Sequence, residues 1–285
     1  MGGTNRGLEE DIKKLSLLNL TDRAKESVIG LIDIDCFECQ WFEHENSSLK
    51  GLPCAAVSTN ENGDFRRFNS VNYEARSFGV SRLHTYEEAL ELCPTLKLVS
   101  LPRKEGTEIG DLLKNAAAEV HSSLEIFAQN NFSQTSCVIQ FSPTDEFYVD
   151  LTKQVEYKLN IETKLEMARC ILRRMLKHIF KETGFACSAG VSTSRLRAKL
   201  AVEQDRPRGV SVLHPDDWDA FLDAREIKTV PGLKKTLGKQ LTDKFGIRLM
   251  KDLRVISDKD LVEIGRIKGK QLETLGKIFS GDFVT

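Results

Sequence analysis

Hydrophobic and polar positions follow two periods along this chain, and the switches between them predict its elements. The run V-I-G-L-I at 28–32 has no helical period, which predicts a buried strand, and Asp33 and Asp35 follow at its end. Apolar stretches at 53–58 and 65–71 flank Asn62-Gly63, a hairpin signal. Residues 72–80 begin a helix, 87–92 continue as helix until Cys93-Pro94 stops it, and 96–101 reads as a strand. A long amphipathic helix covers 110–127, and a second covers 163–181. In the second, Leu165, Ala168, Ile171, Leu172, Met175, Leu176 and Ile179 make a core-facing stripe and Gly184 supplies the stop. Between the two helices, 137–141 and 147–151 read as strands joined by Ser142-Pro143-Thr144.

A strand at 185–191 and a helix at 194–203 come next, and D-R-P-R-G at 205–209 is expected to lead the chain out of the sheet. This alternation predicts a βαβ-containing antiparallel sheet with helices on one face. The C-terminal part changes character. V-P-G-L at 230–233 opens a helix to Phe245, Gly246 ends it, and a second helical pair surrounds Gly265 and Gly269. That pattern predicts a small all-helical unit with glycine-containing hairpins. At the other end, 1–26 is polar apart from Leu8, Ile12, Leu15 and Leu18, as for a docked helix or a loose arm.

Composition narrows the class. With 285 residues, 40% hydrophobic and 29% charged, the chain can build a substantial core over two or three domains. Its apolar runs are too short to span a membrane, and the N-terminus is not expected to act as a secretory leader. Arg6 stands where a myristoylation motif wants a hydroxyl. Seven scattered cysteines fit buried free thiols in a reducing compartment, and the C-x-x-C at Cys36 and Cys39 has no second pair at zinc spacing. The net charge of -1 is unevenly spread: residues 225–285 hold 14 Lys and Arg against 8 Asp and Glu, a net of +6, leaving -7 for the rest. A basic end on an acidic body fits a polyanion-binding module, or a solvated helical surface.

The candidate chemistry starts from the acids. Alternation along a strand puts Asp33 and Asp35 on one face with Ile34 turned away. Two such acids either cap a neighbour and face water or share a cation. Asp145 and Glu146 begin the return strand of the later hairpin; if that strand neighbours 28–32, three carboxylates meet and suit a pair of Mg²⁺ ions. Tyr73 and Arg76, three apart on a helix, make either a clasp for phosphate oxygens or an ordinary helix face. Arg66 and Arg67 sit past the hairpin turn, at a solvated edge or against nucleic acid. The glycine hairpins read as phosphodiester-binding helix starts or as plain capped connections.

In this order, the motifs D-I-D-C-F at 33–37, N-Y-E-A-R-S-F-G-V at 72–80, C-P-T-L at 93–96, D-E-F-Y-V-D-L-T at 145–152, S-A-G-V-S at 188–192, A-K-L-A at 198–201 and V-P-G at 230–232 resemble the Y-family, translesion DNA polymerases, most nearly the eukaryotic iota and eta branches. The resemblance runs from about Val28 to Asp282. It implies an α+β, right-hand polymerase core: an N-terminal extension at 1–26, an antiparallel-sheet palm at 27–36 and 102–212, small fingers at 37–101, and an all-helical thumb at 213–285 with helix-hairpin-helix-like motifs. It also implies a little-finger domain after the thumb, so the chain reads as a shortened form of the family.

Carried across by position, the resemblance places metal ligands at Asp33, Asp145, Glu146 and the Ile34 carbonyl. It places nucleotide contacts at Cys36, Phe37, Glu38, Ser70, Tyr73, Arg76 and Arg206, and DNA contacts at Gly232, Lys234, Gly265 and Gly269. The implied reaction is low-fidelity nucleotidyl transfer to a primer 3′-hydroxyl with two Mg²⁺, a role Mn²⁺ also fills. The implied partners are primer-template DNA, an incoming dNTP, and a sliding clamp and translesion scaffold bound elsewhere; the implied location is the nucleus, with no membrane. Glu38 departs from the family, which has an aromatic ring there to exclude a ribose 2′-hydroxyl; Trp41 replaces a small aliphatic residue nearby and is expected to compensate. Arg206 stands for a lysine, and P-G-L-K lacks a second glycine. Two other classes fit some of these features: a non-catalytic DNA- and partner-binding scaffold, and a nucleotide cyclase with the same two-metal site.

Overall fold

The structure is a computed structural model that describes residues 27–283 except 60–61, 101–108, 133–136, 143–144, 158–159, 264 and 266, so the arm expected at 1–26 lies outside the described residues. Its strands are β1 (Ile29–Ile34), β2 (Cys54–Thr59), β3 (Phe65–Val71), β4 (Lys97–Val99), β5 (Val138–Ser142), β6 (Glu146–Asp150), β7 (Cys187–Ser192) and β8 (Val210–Val212). Its helices are α1 (Phe37–Glu45), α2 (Tyr73–Ser77), α3 (Tyr86–Leu92), α4 (Ile109–Asn131), α5 (Thr152–Val155), α6 (Ile161–Thr183), α7 (Arg195–Ala201), α8 (Trp218–Asp223), α9 (Thr236–Phe245), α10 (Met250–Leu253), α11 (Asp258–Glu263) and α12 (Gly269–Ser280). The class is α+β.

The apolar run at the start of the described chain becomes β1, the centre of a five-stranded sheet ordered β5-β6-β1-β7-β8. Ile32 and Ile34 point to one face, where Leu124 of α4 and the predicted stripe of α6 bury against them. Helix α6 starts where the Asn160 side chain accepts from the Thr163 amide at 2.9 Å and stops at Gly184, whose φ is 75°.

Two expectations need correction. Helices cover both faces: Leu31 and Tyr148 on the opposite side pack against Ala198 and Val202, so α7 lies across that face. Nor does the chain leave the sheet after 205–209, because β8 pairs with β7 in parallel as an added edge strand. Three residues are too few for an alternation to be read.

Helix α7 comes very close to the sheet at Gly190. A Cβ there would lie 2.3 Å from the Ala198 carbonyl oxygen and 2.4 Å from the Val202 amide nitrogen, so only glycine leaves room for the helix backbone.

The smaller sheet, ordered β3-β2-β4, pairs β2 with β3 antiparallel and with β4 parallel. The Asn72 side chain joins it to α2: its oxygen accepts from the Ala75 amide at 3.0 Å and the Cys54 amide at 2.9 Å, while its nitrogen donates to the Leu52 carbonyl. The C-terminal helices close over their own core of Trp218, Leu222, Leu241, Met250, Leu275 and Ile278, to which α7 contributes Leu196, Leu200 and Ala201. All seven cysteines are free thiols. Among the described residues, no helix is long and apolar enough to cross a membrane.

Candidate active site

Register brings the acids together. Asp33 is the cross-strand partner of Glu146 on one side and Ser188 on the other, and the Ile34 amide donates to the Asp145 carbonyl at 3.0 Å. Two carboxylates directly opposite on one face repel each other, so the pair needs cations. The protein supplies them: Arg206 Nη2 lies 2.8 Å from Asp33 Oδ2, and Lys199 Nζ lies 2.8 Å from Glu146 Oε2. Burial still pushes the Asp33 carboxyl up to about 7 against the pull of Arg206, and Asp145 and Glu146 push it the same way.

Asp35 does not share this wall as expected. β1 ends at Ile34, the chain turns at Cys36 with φ 40°, and the Asp35 carboxylate is buried beneath that turn. There it accepts from the Ser188 hydroxyl at 2.7 Å and the Arg208 amide at 3.0 Å, and from the Tyr73 hydroxyl at 3.4 Å. It is an anchor for three segments.

In front of the acids lies a cleft of about 680 Å³, lined by Asp33, Ile34, Asp145 and Glu146 and by the expected nucleotide contacts Cys36, Phe37, Glu38, Ser70, Tyr73, Arg76 and Arg206. Cys36 caps α1, so Phe37 and Glu38 open that helix and its first amides have no intrahelical acceptor. Tyr73 and Arg76 stack instead of lying side by side: the guanidinium carbon sits 4.6 Å over the ring centroid, and Arg76 Nε donates to the Val71 carbonyl at 2.9 Å. Burial first, and then Asp35, push the Tyr73 phenol up to about 12, so it keeps its proton and remains a donor.

Glu38 projects into the cleft. Burial raises its pKa, with Asp145 adding to the rise and the Asn69 side chain, Arg67 and Arg82 opposing it; its buried Oε2 has no hydrogen-bond partner. Trp41 does not compensate there. It packs edge-on against Phe42 and onto the main core and does not line the cleft.

Of the expected DNA contacts, Lys234 reaches the cleft. Gly232, at φ 85°, sets its hydrogen against the Phe283 ring, and Gly269 is exposed at the start of α12. Gly265 is buried, and its amide donates to the Asp260 carbonyl at 3.2 Å. The sequence reading missed Lys199, Arg82 and Asn69 as cleft residues. A lysine flanked by apolar residues in A-K-L-A was the available signal for the first of them.

Among the described residues, no three His, Cys, Asp or Glu side chains stand as a ready ligand set for a metal ion. Asp33 and Glu146 are turned to Arg206 and Lys199 instead. The donor chemistry nevertheless fits a hard divalent cation: carboxylate oxygens on one cleft wall, with an Asp33 whose charge is disfavoured by burial and, less, by Asp145 and Glu146.

One prediction follows for the metal-free protein. Between about pH 4 and 7 native Asp33 holds a proton that the unfolded chain has released, so this group's contribution to stability falls as pH rises through that window. Asp33→Asn cannot ionise and escapes the fall. In EDTA, its urea midpoint relative to the parent should rise between about pH 5 and pH 8; a constant difference would refute the raised pKa.

Residues 32–203 match the impB/mucB/samB family. DNA polymerase IV of Streptococcus pyogenes serotype M1 is 29% identical over 234 residues, covering 81% of this chain and 58% of the relative. The serotype M4 protein of the same name is also 29% identical, over 233 residues. This chain thus spans 58% of the length of these curated relatives. Among solved structures, the insertion ternary complex of Dbh DNA polymerase superposes with a TM-score of 0.69 at 22% identity, over 90% of this chain and 68% of that one. DinB from Sulfolobus solfataricus gives 0.63 at 23%, over 88% and 67%. Both are likenesses of fold.

Proposed function

Because the chain belongs to the impB/mucB/samB family, we propose that it is the catalytic part of a low-fidelity, template-directed DNA polymerase of the Y-family, adding a dNTP to a primer 3′-hydroxyl. The observation that carries this reading is the cleft itself: Asp33, Asp145 and Glu146 on one wall, with Tyr73, Arg76 and Arg206 facing the same space. An acid wall suits cations and a basic wall suits phosphates, and a metal-bound triphosphate needs both.

In this reading Asp33, Asp145 and Glu146, with the Ile34 carbonyl, hold divalent cations, Mg²⁺ or Mn²⁺. Bound there, such ions would lower the pKa of the attacking hydroxyl and neutralise the leaving pyrophosphate. Arg76 and Arg206 take up triphosphate charge. Tyr73 donates from a phenol that stays protonated, and the open α1 amides and the Ser70 hydroxyl line the same path. Glu38 lines the cleft and bears on the sugar. Lys234 meets the DNA backbone.

The streptococcal relatives are DNA polymerases, and the Dbh structure is a ternary complex, which supports DNA and nucleotide as partners. Kinship with the eukaryotic iota and eta branches, a nuclear location, and clamp or scaffold partners rest on the motifs alone; the curated relatives named above are streptococcal and one of the similar structures is from Sulfolobus solfataricus.

The test is single-turnover primer extension with excess protein at low salt, where phosphate contacts are strongest, offering each dNTP and rNTP separately. Extension is expected, and it should vanish in Asp145→Ala/Glu146→Ala. The ratio of dNTP to rNTP use should be lower than in a Glu38→Tyr variant; an unchanged ratio would remove Glu38 from sugar selection. A second reading, a scaffold that keeps the fold without the reaction, draws on the ion pairs of Asp33 with Arg206 and Glu146 with Lys199. Satisfied internally, these acids persist without any metal. Binding of primer-template without extension would favour it.

A further inference from the structure

We propose that Lys199 is a positioning residue that holds Glu146 until a divalent cation takes the carboxylate, whereupon the released amine turns to the phosphates of the nucleotide. This rests on the metal-binding reading of the cleft given above.

Three observations carry the exchange. The Lys199–Glu146 contact of 2.8 Å joins side chains only 22% and 16% exposed, so water screens the pair only in part and each charge is held mainly by the other. Both residues line the cleft, so the amine has open space on its far side. The helix that bears it is fixed: Gly190 admits the α7 backbone to the sheet, and Leu196 and Leu200 are wholly buried beneath the C-terminal helices. The movable part is therefore the four-carbon side chain.

Charge gives the direction. Asp33, Asp145 and Glu146 face Lys199 and Arg206, an arrangement close to balance without metal. Glu146 engaged by a divalent cation would release the amine, and the like charges would keep it away. The half-buried ammonium then needs another anion, and an incoming triphosphate supplies one in the same cleft. Arg206 stands in the equivalent relation to Asp33, but its guanidinium keeps a fixed fork, whereas Lys199 is a mobile point charge.

The test is amine footprinting of the full chain, reading acetylation of Lys199 by mass spectrometry in EDTA, in Mg²⁺, and in Mg²⁺ with primer-template and a non-hydrolysable dNTP. Labelling should rise several-fold on adding Mg²⁺ and fall again with the nucleotide complex. In parallel, Mn²⁺ uptake is measured by calorimetry without DNA, where Lys199→Met should bind Mn²⁺ roughly fivefold tighter because the competitor is gone. Mn²⁺ uptake with flat Lys199 labelling, or with unchanged affinity in the variant, overturns the exchange alone. No Mn²⁺ uptake by parent or variant overturns the metal reading and the exchange with it.

Discussion

Replacing Gly190 with alanine should cost at least about 3 kcal/mol, the top of the usual range for an overpacked core. The new methyl would stand 2.3 Å from the Ala198 oxygen, 2.4 Å from the Val202 nitrogen and 3.0 Å from the Ala201 carbonyl carbon. All three belong to helix backbone, which cannot rotate aside as a side chain does. Relief requires lifting α7 from the sheet, and that breaks the contacts of Ala198 and Val202 with Leu31 and Tyr148. Gly30→Ala is the matched control. Its nearest neighbours are the Leu172 methyls, at 3.0 and 3.2 Å, and a leucine tip has other rotamers, so its loss should be clearly smaller. Urea unfolding of both variants decides the matter. Equal midpoints would mean that the close approach at Gly190 is of no consequence.

Asp33→Asn should reduce single-turnover extension by about 10³-fold or more, since it removes a charged oxygen where cations are needed to offset developing phosphate charge. Its fold should be intact. The asparagine is nearly isosteric, the β1 ladder uses only backbone groups, and the uncharged amide avoids the burial that raises the Asp33 pKa. A protein at least as stable above pH 7 and nearly inactive separates a chemical role from a structural one. Extension within tenfold of the parent, with far-UV circular dichroism unchanged, would remove Asp33 from the reaction.

Much of this was legible in the sequence because it is local. The stripe of α6, the stop at Gly184 and the hairpin around Gly63 follow from spacing and turn chemistry within a few residues. The acid wall was legible for a related reason. Strand ends can be read, and only the adjacency of β1 and β6 had to be supposed. What escaped depends on long-range geometry. The face chosen by α7 is set by one glycine in a strand, and nothing in S-A-G-V-S says which face is open. Asp35 was assigned to the wrong surface because the ladder ends one residue earlier, where the Asp35 amide donates to the Ala186 carbonyl and the chain turns at Cys36. Lys199 meets a carboxylate 53 positions away, a pairing that no local pattern encodes. Trp41 misled because helical spacing puts it near Glu38, while its ring is taken up by Phe42 and the main core.

Helix α7 and the residue that follows it belong to two cores at once, with Ala198 and Val202 in one and Leu196, Leu200 and Ala201 in the other. The C-terminal helices therefore rest on a helix that is itself packed against the sheet. A pull on them, such as a polyanion gripping their basic surface would exert, loads α7 directly, and at one point on that helix sits the amine that touches Glu146. If the C-terminal helices hold DNA as proposed, a load on them would reach the ammonium group at Glu146 through a single helix.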